Sequence, residues 1–231
     1  MSHKPKNQVR DIENRLNVLR AGVLGANDGI ISTAGIVIGV ASATSNMMTI
    51  LVAGVAGLLA GALSMAGGEY SSVSTQKDVE QAEVEREKIL LRDDFKGEQQ
   101  SLVDYYIDQG LSQDLALKVA KELMKEDALG VEVQTKLNIT LDNYVNPWYA
   151  AFSSIISFAC GAIIPLLFIL LLPANIKIIG TFIVVSFALA LTGFISAKLG
   201  NAPKLKAVVR NVVVGMVTMI VTYAIGLFVH V

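Results

Sequence analysis

Charge is missing from long parts of this 231-residue sequence. Between Ala21 and Gln76 the only charged side chains are Asp28 and Glu69, and Trp148–Ile176, Ile178–Ala197 and Asn211–Val229 contain none. Soluble helices of such length keep a polar face, so these gaps exclude an ordinary water-soluble core. Cysteine is also nearly absent. The single Cys160 excludes a disulfide framework and a thiolate metal site. The only histidines, His3 and His230, lie at the chain ends. No Ser-Lys or Cys-His grouping falls within the apolar stretches, so nothing points to an intramembrane enzyme. A basic, polar N-terminus without a short apolar core and cleavage site gives no sign of a signal peptide.

What is present is apolar length. A membrane-spanning helix needs about 20 apolar residues. The stretch from Ala21 is long enough for two spans, with the polar Ala43-Thr44-Ser45-Asn46 as the turn between them. Each remaining stretch holds one. The expectation is an all-α membrane protein with five transmembrane helices, Leu19–Ala41, Met48–Tyr70, Tyr149–Leu172, Ile176–Ala197 and Val208–Val229. Basic residues set orientation over short loops. Lys4, Lys6, Arg10, Arg15 and Arg20 precede the first span, and Lys198, Lys204, Lys206 and Arg210 surround the fourth loop. The Ala43–Asn46 turn has none and the Pro173–Lys177 loop only Lys177. This alternation puts the N-terminus in the cytoplasm and the C-terminus outside.

The chain divides accordingly. Residues 1–76 form the N-terminal tail with helices 1 and 2, residues 77–146 a small cytoplasmic helical domain, and residues 147–231 helices 3 to 5. Lys77 to Asp142 holds sixteen of the twenty acidic residues against nine Lys and Arg, a surplus of seven negative charges. Three or four short amphipathic helices are predicted there. Val79, Ala82, Ile89, Leu90 and Phe95 suggest one stripe and Leu102, Val103 and Tyr106 a second, ended by Gly110 as the residue just past the helix. Ser112 is placed as the N-cap of a third helix with Leu115, Val119 and Leu123 on one face. Glu80, Glu83 and Glu87, with Asp94 a heptad on, share a helix face. Such a face is either solvated or a set of hard oxygen ligands for divalent cations.

Asp28 stands about 12 Å into the first span at 1.5 Å per residue. Glu69 stands near the cytoplasmic end of the second, and antiparallel packing of the two would let them face each other. A charge at a helix centre costs roughly 2.5–3.5 kcal/mol. No Lys or Arg lies inside a span to offset it, so a proton or a cation must do so. Met65, one turn before Glu69, adds a thioether that suits a softer ion such as Fe²⁺. The glycines around both acids, from Gly22 to Gly68, fit a tightly packed helix pair or one helix meeting its copy in a dimer.

At these residues the sequence resembles the vacuolar iron transporter family, including its bacterial and nodulin-like members. The likeness runs through Leu24-Gly25-Ala26-Asn27-Asp28-Gly29-Ile30-Ile31-Ser32-Thr33 and from Ala60 through Met65-Ala66-Gly67-Gly68-Glu69-Tyr70 to Asp78. It continues in Glu126-Asp127-Ala128-Leu129-Gly130-Val131 and Asn146-Pro147-Trp148. The resemblance implies a five-helix domain that dimerises through its first helices, with a cytoplasmic metal-binding domain between the second and third. It implies export of Fe²⁺, and often Mn²⁺, from the cytosol in exchange for protons, as an antiporter. Asp28, Met65 and Glu69 would form the ion path, the last in the bacterial and nodulin-like branch. A bacterial cell membrane follows from that branch. Four positions depart from the plant-type pattern. Ala21 and Gly57 replace acids in the spans, and Lys136 replaces a Glu in the cytoplasmic domain, where Glu132 also stands in place of Met or His.

The expected function is thus a divalent-metal transporter, not an enzyme, with Fe²⁺ or Mn²⁺ as cargo and no organic cofactor. Its partners are membrane lipid, protons and a second copy of the chain, and no nucleic acid. The candidate metal ligands are Asp28, Met65 and Glu69 in the spans, and Glu80, Glu83, Glu87, Asp104 and Glu132 in the acidic segment. The alternative is a membrane-anchored metal sensor or buffer, which has no use for an unpaired Asp28.

Overall fold

A computed structural model describes residues 6–141 and 144–229, with side chains described from residue 18 onward. Expectations resting on Lys4 and on the side chains of Lys6, Arg10 and Arg15 lie outside these, as do those on His3, Asp142 and His230. The described chain is helical throughout. Its elements are α1 (Lys6–Ala43), α2 (Met47–Asp93), α3 (Phe95–Asp108), α4 (Gln113–Lys136), α5 (Pro147–Leu171), α6 (Lys177–Leu199) and α7 (Lys204–Phe228). Five helices are long and apolar enough to cross a membrane: Val18–Ala43 of α1, then α2, α5, α6 and α7. The chain forms two compact units, one of residues 1–71 with 147–231 and one of residues 72–146.

In the first unit α1 is the central helix. Its Ile30, Ala34 and Ile38 are buried with Val185, Ala188 and Leu189 of α6 and Met219 of α7. Its glycines set how near the other helices come. Ideal Cβ positions at Gly22, Gly25 and Gly29 fall against Ser153 and Ser157, the Ser154 carbonyl, and the Phe158 carbonyl of α5. From the facing side, a Cβ on Gly161 would meet the carbonyl of Ala26. Higher in α1, Gly35 and Gly39 rest on Thr218 and Thr222 of α7. Numbers rise together along α1, α5 and α7, so these three run parallel. Thr192 of α6 bonds back to Asn27 (3.3 Å), and Gly54 and Gly61 of α2 meet Val37 and Phe158 in reverse order, so α2 and α6 run the other way.

This corrects the expected pairing of the first two spans. The backbone-to-backbone partner of α1 is α5, because the three α1 glycines face that helix. The α1–α2 contact is made through side chains: Ile36 and Val37 fill the room left by Gly57 and Gly54. Asn46 caps α2, accepting the N–H groups of Met48 (2.9 Å) and Thr49 (3.2 Å).

Helix α2 does not stop where the apolar run ends. It continues unbroken for 47 residues, where a separate amphipathic helix was expected. From Tyr70 to Arg92 there is no Gly, Pro or competing cap, and Glu, Gln, Lys and Arg favour continuation. Its stripe of Val79, Ile89, Leu90 and Phe95 at the junction with α3 is exposed rather than a core face.

The second unit is built on Leu102, Val103, Ala116, Ala120 and Met124, with Leu91, Tyr106 and Leu111 packed around them. The expected Leu102, Val103 and Tyr106 stripe therefore forms the α3 face. Gly110 has φ +95°. Its N–H reaches the Ile107 carbonyl (2.8 Å) and that of Leu111 the Tyr106 carbonyl (3.1 Å), which is a Schellman ending. In α4 the buried face is offset by one residue from the expected one. Ala116, Ala120 and Met124 point inward and Leu115 is exposed, because small alanines admit α3 more closely than leucines would. Ser112 occupies the N-cap position but makes no side-chain cap bond.

Two corners in this unit use one device. Asp94, expected on the acidic face of the preceding helix, is instead the N-cap of α3 and accepts the Gly97 N–H (2.9 Å). Asp127 leaves helical geometry inside α4 (φ −153°, ψ 80°) and accepts the Gly130 N–H (2.9 Å). In both Asp-x-x-Gly segments a Cβ on the glycine would collide with the capping carboxylate.

Two outcomes follow for stability. Gly29→Ala should lower the thermal transition of the detergent-solubilised protein, since overpacking costs about 1–3 kcal/mol, whereas Gly67→Ala, with nothing within 4 Å, should leave it unchanged. Asp127→Ala should cost about 1 kcal/mol through the lost cap, read as local deuterium uptake at Ala128–Val131.

Candidate metal sites

The first unit carries the intramembrane acids. Asp28 lies on the outward face of α1 and is exposed, in line with Leu24 and Ile36. Its neighbour Gly29 is pressed onto Phe158. Met65 is half-buried and packs on the cluster of Ala62, Phe158 and Ala162. Gly29, next to Asp28, and Met65 thus lie at one level of the helix bundle, on either side of Phe158. Glu69 is half-buried a turn further along α2, beside Tyr70, whose ring lies 4.8 Å from that of Trp148. Among the described residues neither acid has an ion-pair partner. Gly67 and Gly68 leave open space beside Glu69.

The second unit gathers its acids elsewhere than expected. Glu87, Glu98 and Glu132 each offer a carboxylate oxygen within 4.8 Å of the others, the only such group of three among the described residues. Glu87 comes from α2, Glu98 from the first turn of α3 and Glu132 from the last turns of α4. Of the expected ligands only Glu87 and Glu132 belong to it. Glu80 is taken by Gln76 (2.9 Å), Glu83 pairs with Arg86 (3.8 Å), and exposed Asp104 with Gln100 (2.8 Å). Glu98 was not expected. The signal for it was the Asp94-x-x-Gly97 cap, which starts a new helix and turns Glu98 onto a different face.

Lys136 enters the same cluster. Its Nζ stands 3.4 Å from Glu87 and 2.9 Å from Glu132, and also pairs with Glu98. Glu132 is wholly buried. The 2.9 Å approach lacks hydrogen-bond geometry, so neither Glu132 oxygen has a hydrogen-bond partner. Burial pushes the Glu132 carboxyl up, opposed by Lys136 and reinforced by Glu98 and Glu87. Burial works against the Lys136 ammonium, yet the hydrogen bond to Glu98 and the carboxylates of Glu132 and Glu87 outweigh it and hold its pKa above the usual lysine value.

Five helices long and apolar enough to cross a membrane, with acids inside two of them, define a multi-span membrane protein. Comparison with known proteins agrees. Residues 19–227 match the model of the VIT family, and the chain belongs to that family. A vacuolar iron transporter of Acanthamoeba castellanii is 37% identical over 209 residues, covering 90% of this chain and 77% of that protein. Vacuolar iron transporter homolog 3 of Arabidopsis thaliana is 32% identical, covering 95% and 87%. VIT-like transporter 1b of Glycine max is also 32% identical, covering 93% and 77%.

Removing one partner of a buried ion pair strands the other charges. Lys136→Ala should therefore destabilise the protein by up to about 3 kcal/mol, while Glu80→Gln and Glu83→Gln shift the thermal transition by no more than about 0.5 kcal/mol.

Proposed function

We propose that this protein moves a divalent metal ion across the membrane, with Asp28, Met65 and Glu69 as the ion path. Fe²⁺ is the first candidate, from the names of the relatives, and Mn²⁺ the second, because both accept carboxylates beside a thioether. The observation that carries the reading is Asp28. A carboxylate exposed on the outward face of an apolar helix, without a basic partner, is costly in hydrocarbon.

That exposure also supports a homodimer through α1. The glycine faces of α1 are occupied within the chain by α5 and α7 and Ile36 by α2, so the surface left for a second copy is the stretch around Leu24 and Asp28. Two copies meeting there would bring two Asp28 carboxylates together and shield them from lipid. The charge pattern of the loops supports a cytoplasmic N-terminus, a cytoplasmic 77–146 domain and an outward C-terminus, while a bacterial cell membrane is what the resemblance to the bacterial branch implies. Export of metal from the cytosol by proton exchange fits the same acids. One divalent cation and two protons carry the same charge, so a pair of carboxylates can hold either in turn, the cation competing with the protons for the same oxygens. Metal-loaded and proton-loaded sites then carry similar charge, and both tolerate the membrane interior better than the empty, doubly ionised one.

In proteoliposomes that trap a pH-sensitive dye, at clamped potential, Fe²⁺ or Mn²⁺ flux should carry protons the other way. Metal flux without proton movement would overturn exchange. Asp28→Asn, which keeps shape and removes charge, should reduce flux to that of protein-free vesicles, and near-normal flux would overturn the assigned path. Leu24→Cys in a Cys160→Ser background should cross-link into dimers under mild oxidation, and a chain that stays monomeric would remove the α1 interface.

A further inference from the structure

The cluster of Glu87, Glu98 and Glu132 has the outline of a divalent-cation site: three carboxylates from three helical segments, with oxygens within 4.8 Å of one another. Glu132 adds a second, independent sign. It is 0% exposed and both its oxygens lack a hydrogen-bond partner, a costly state unless a cation faces them. A cation does. The Lys136 ammonium reaches all three carboxylates, with only 24% of its side chain exposed.

We propose that Lys136 is a tethered counter-ion that takes the place of a metal in this cluster, so that the 72–146 unit assembles without a divalent ion. The chemistry fits an ammonium. One positive charge stands within ion-pair distance of all three carboxylates, 2.9 Å from Glu132 and 3.4 Å from Glu87 and paired also with Glu98. A metal drawing the same oxygens to bonding distance would have to occupy the ammonium's own position. The two cations therefore exclude each other. The lysine has the advantage of covalent attachment, four residues from Glu132 on one helix turn, so its local concentration does not fall when cytosolic metal does. The inference concerns the 72–146 unit alone, goes beyond the transport reading and does not rest on it.

The test uses the full-length protein in detergent, carrying Asp28→Asn to silence one intramembrane acid, titrated with Mn²⁺ and read by electron paramagnetic resonance. In this background, adding Glu132→Gln should leave Mn²⁺ binding unchanged, and chelator should not move the thermal transition. Replacing Lys136→Gln should create one additional Mn²⁺ site per chain, at least about tenfold tighter than any binding by the parent at this cluster, and Glu132→Gln should then abolish it. Parent protein that loses Mn²⁺ binding on Glu132→Gln would overturn the proposal. So would a folded Lys136→Gln variant that gains no site. If Lys136→Gln fails to fold, the parent and Glu132→Gln pair still decides. Equal Mn²⁺ binding upholds the tethered ion, and a lost site refutes it.

Discussion

The structure of the membrane-spanning unit depends on how closely α1 and α5 approach. Gly22, Gly25 and Gly29 on one helix and Gly161 on the other let backbone meet backbone. Hydrocarbon offers little drive for helices to associate, so close packing of small residues must supply much of it. Pro165 lies one turn beyond Gly161 on α5 and removes a backbone donor there, which the surrounding helices tolerate. With α5 seated so near, Phe158 can project past α1 to fill the space beside Gly61 of α2. Phe158 thus ties the level of Gly29, at its backbone, to that of Gly61 and Met65, through a steric allowance made by glycine.

The two units solve the problem of acidic side chains in opposite ways. In the first, Asp28 and Glu69 are left without an internal cation among the described residues. In the second, which holds sixteen of the twenty acids, much of the charge is met from inside the chain. Gln76, Arg86 and Gln100 hold the peripheral acids, and Lys136 holds the buried ones. Carboxylate chemistry is common to both, and the presence or absence of a built-in partner separates them.

Much of the membrane domain was legible in the sequence, because apolar length and the lack of charge report directly on insertion. Four of the five spans fall within a few residues of the expected bounds, the second running on to Asp93, and the polar Asn46 turn and the Gly110 helix ending stand where their chemistry put them. The acidic segment was less legible. Its apolar residues are sparse, so a shift of one position, from Leu115 to Ala116, changes which face is buried. Charge alone gave no reason to separate Glu87, which is buried, from Glu80 and Glu83, which are not. That distinction comes from what packs above each residue. The helix partners of α1 were also hidden, since glycine on a helix announces close approach without saying which helix approaches.

The two Asp-x-x-Gly corners have a consequence for how the carboxylate cluster can vary. Each corner resets the phase of the helix that follows it, and each such helix delivers one acid: Glu98 four residues after Asp94, Glu132 five residues after Asp127. Successive residues on a helix are about 100° apart. The corners therefore act as angular zero marks, and the cluster is defined by counting from them. Sequence lengthening upstream of either Asp leaves the count intact. A single residue inserted after it turns the acid about a quarter-circle away, so tolerance to length change should switch abruptly at Asp94 and again at Asp127.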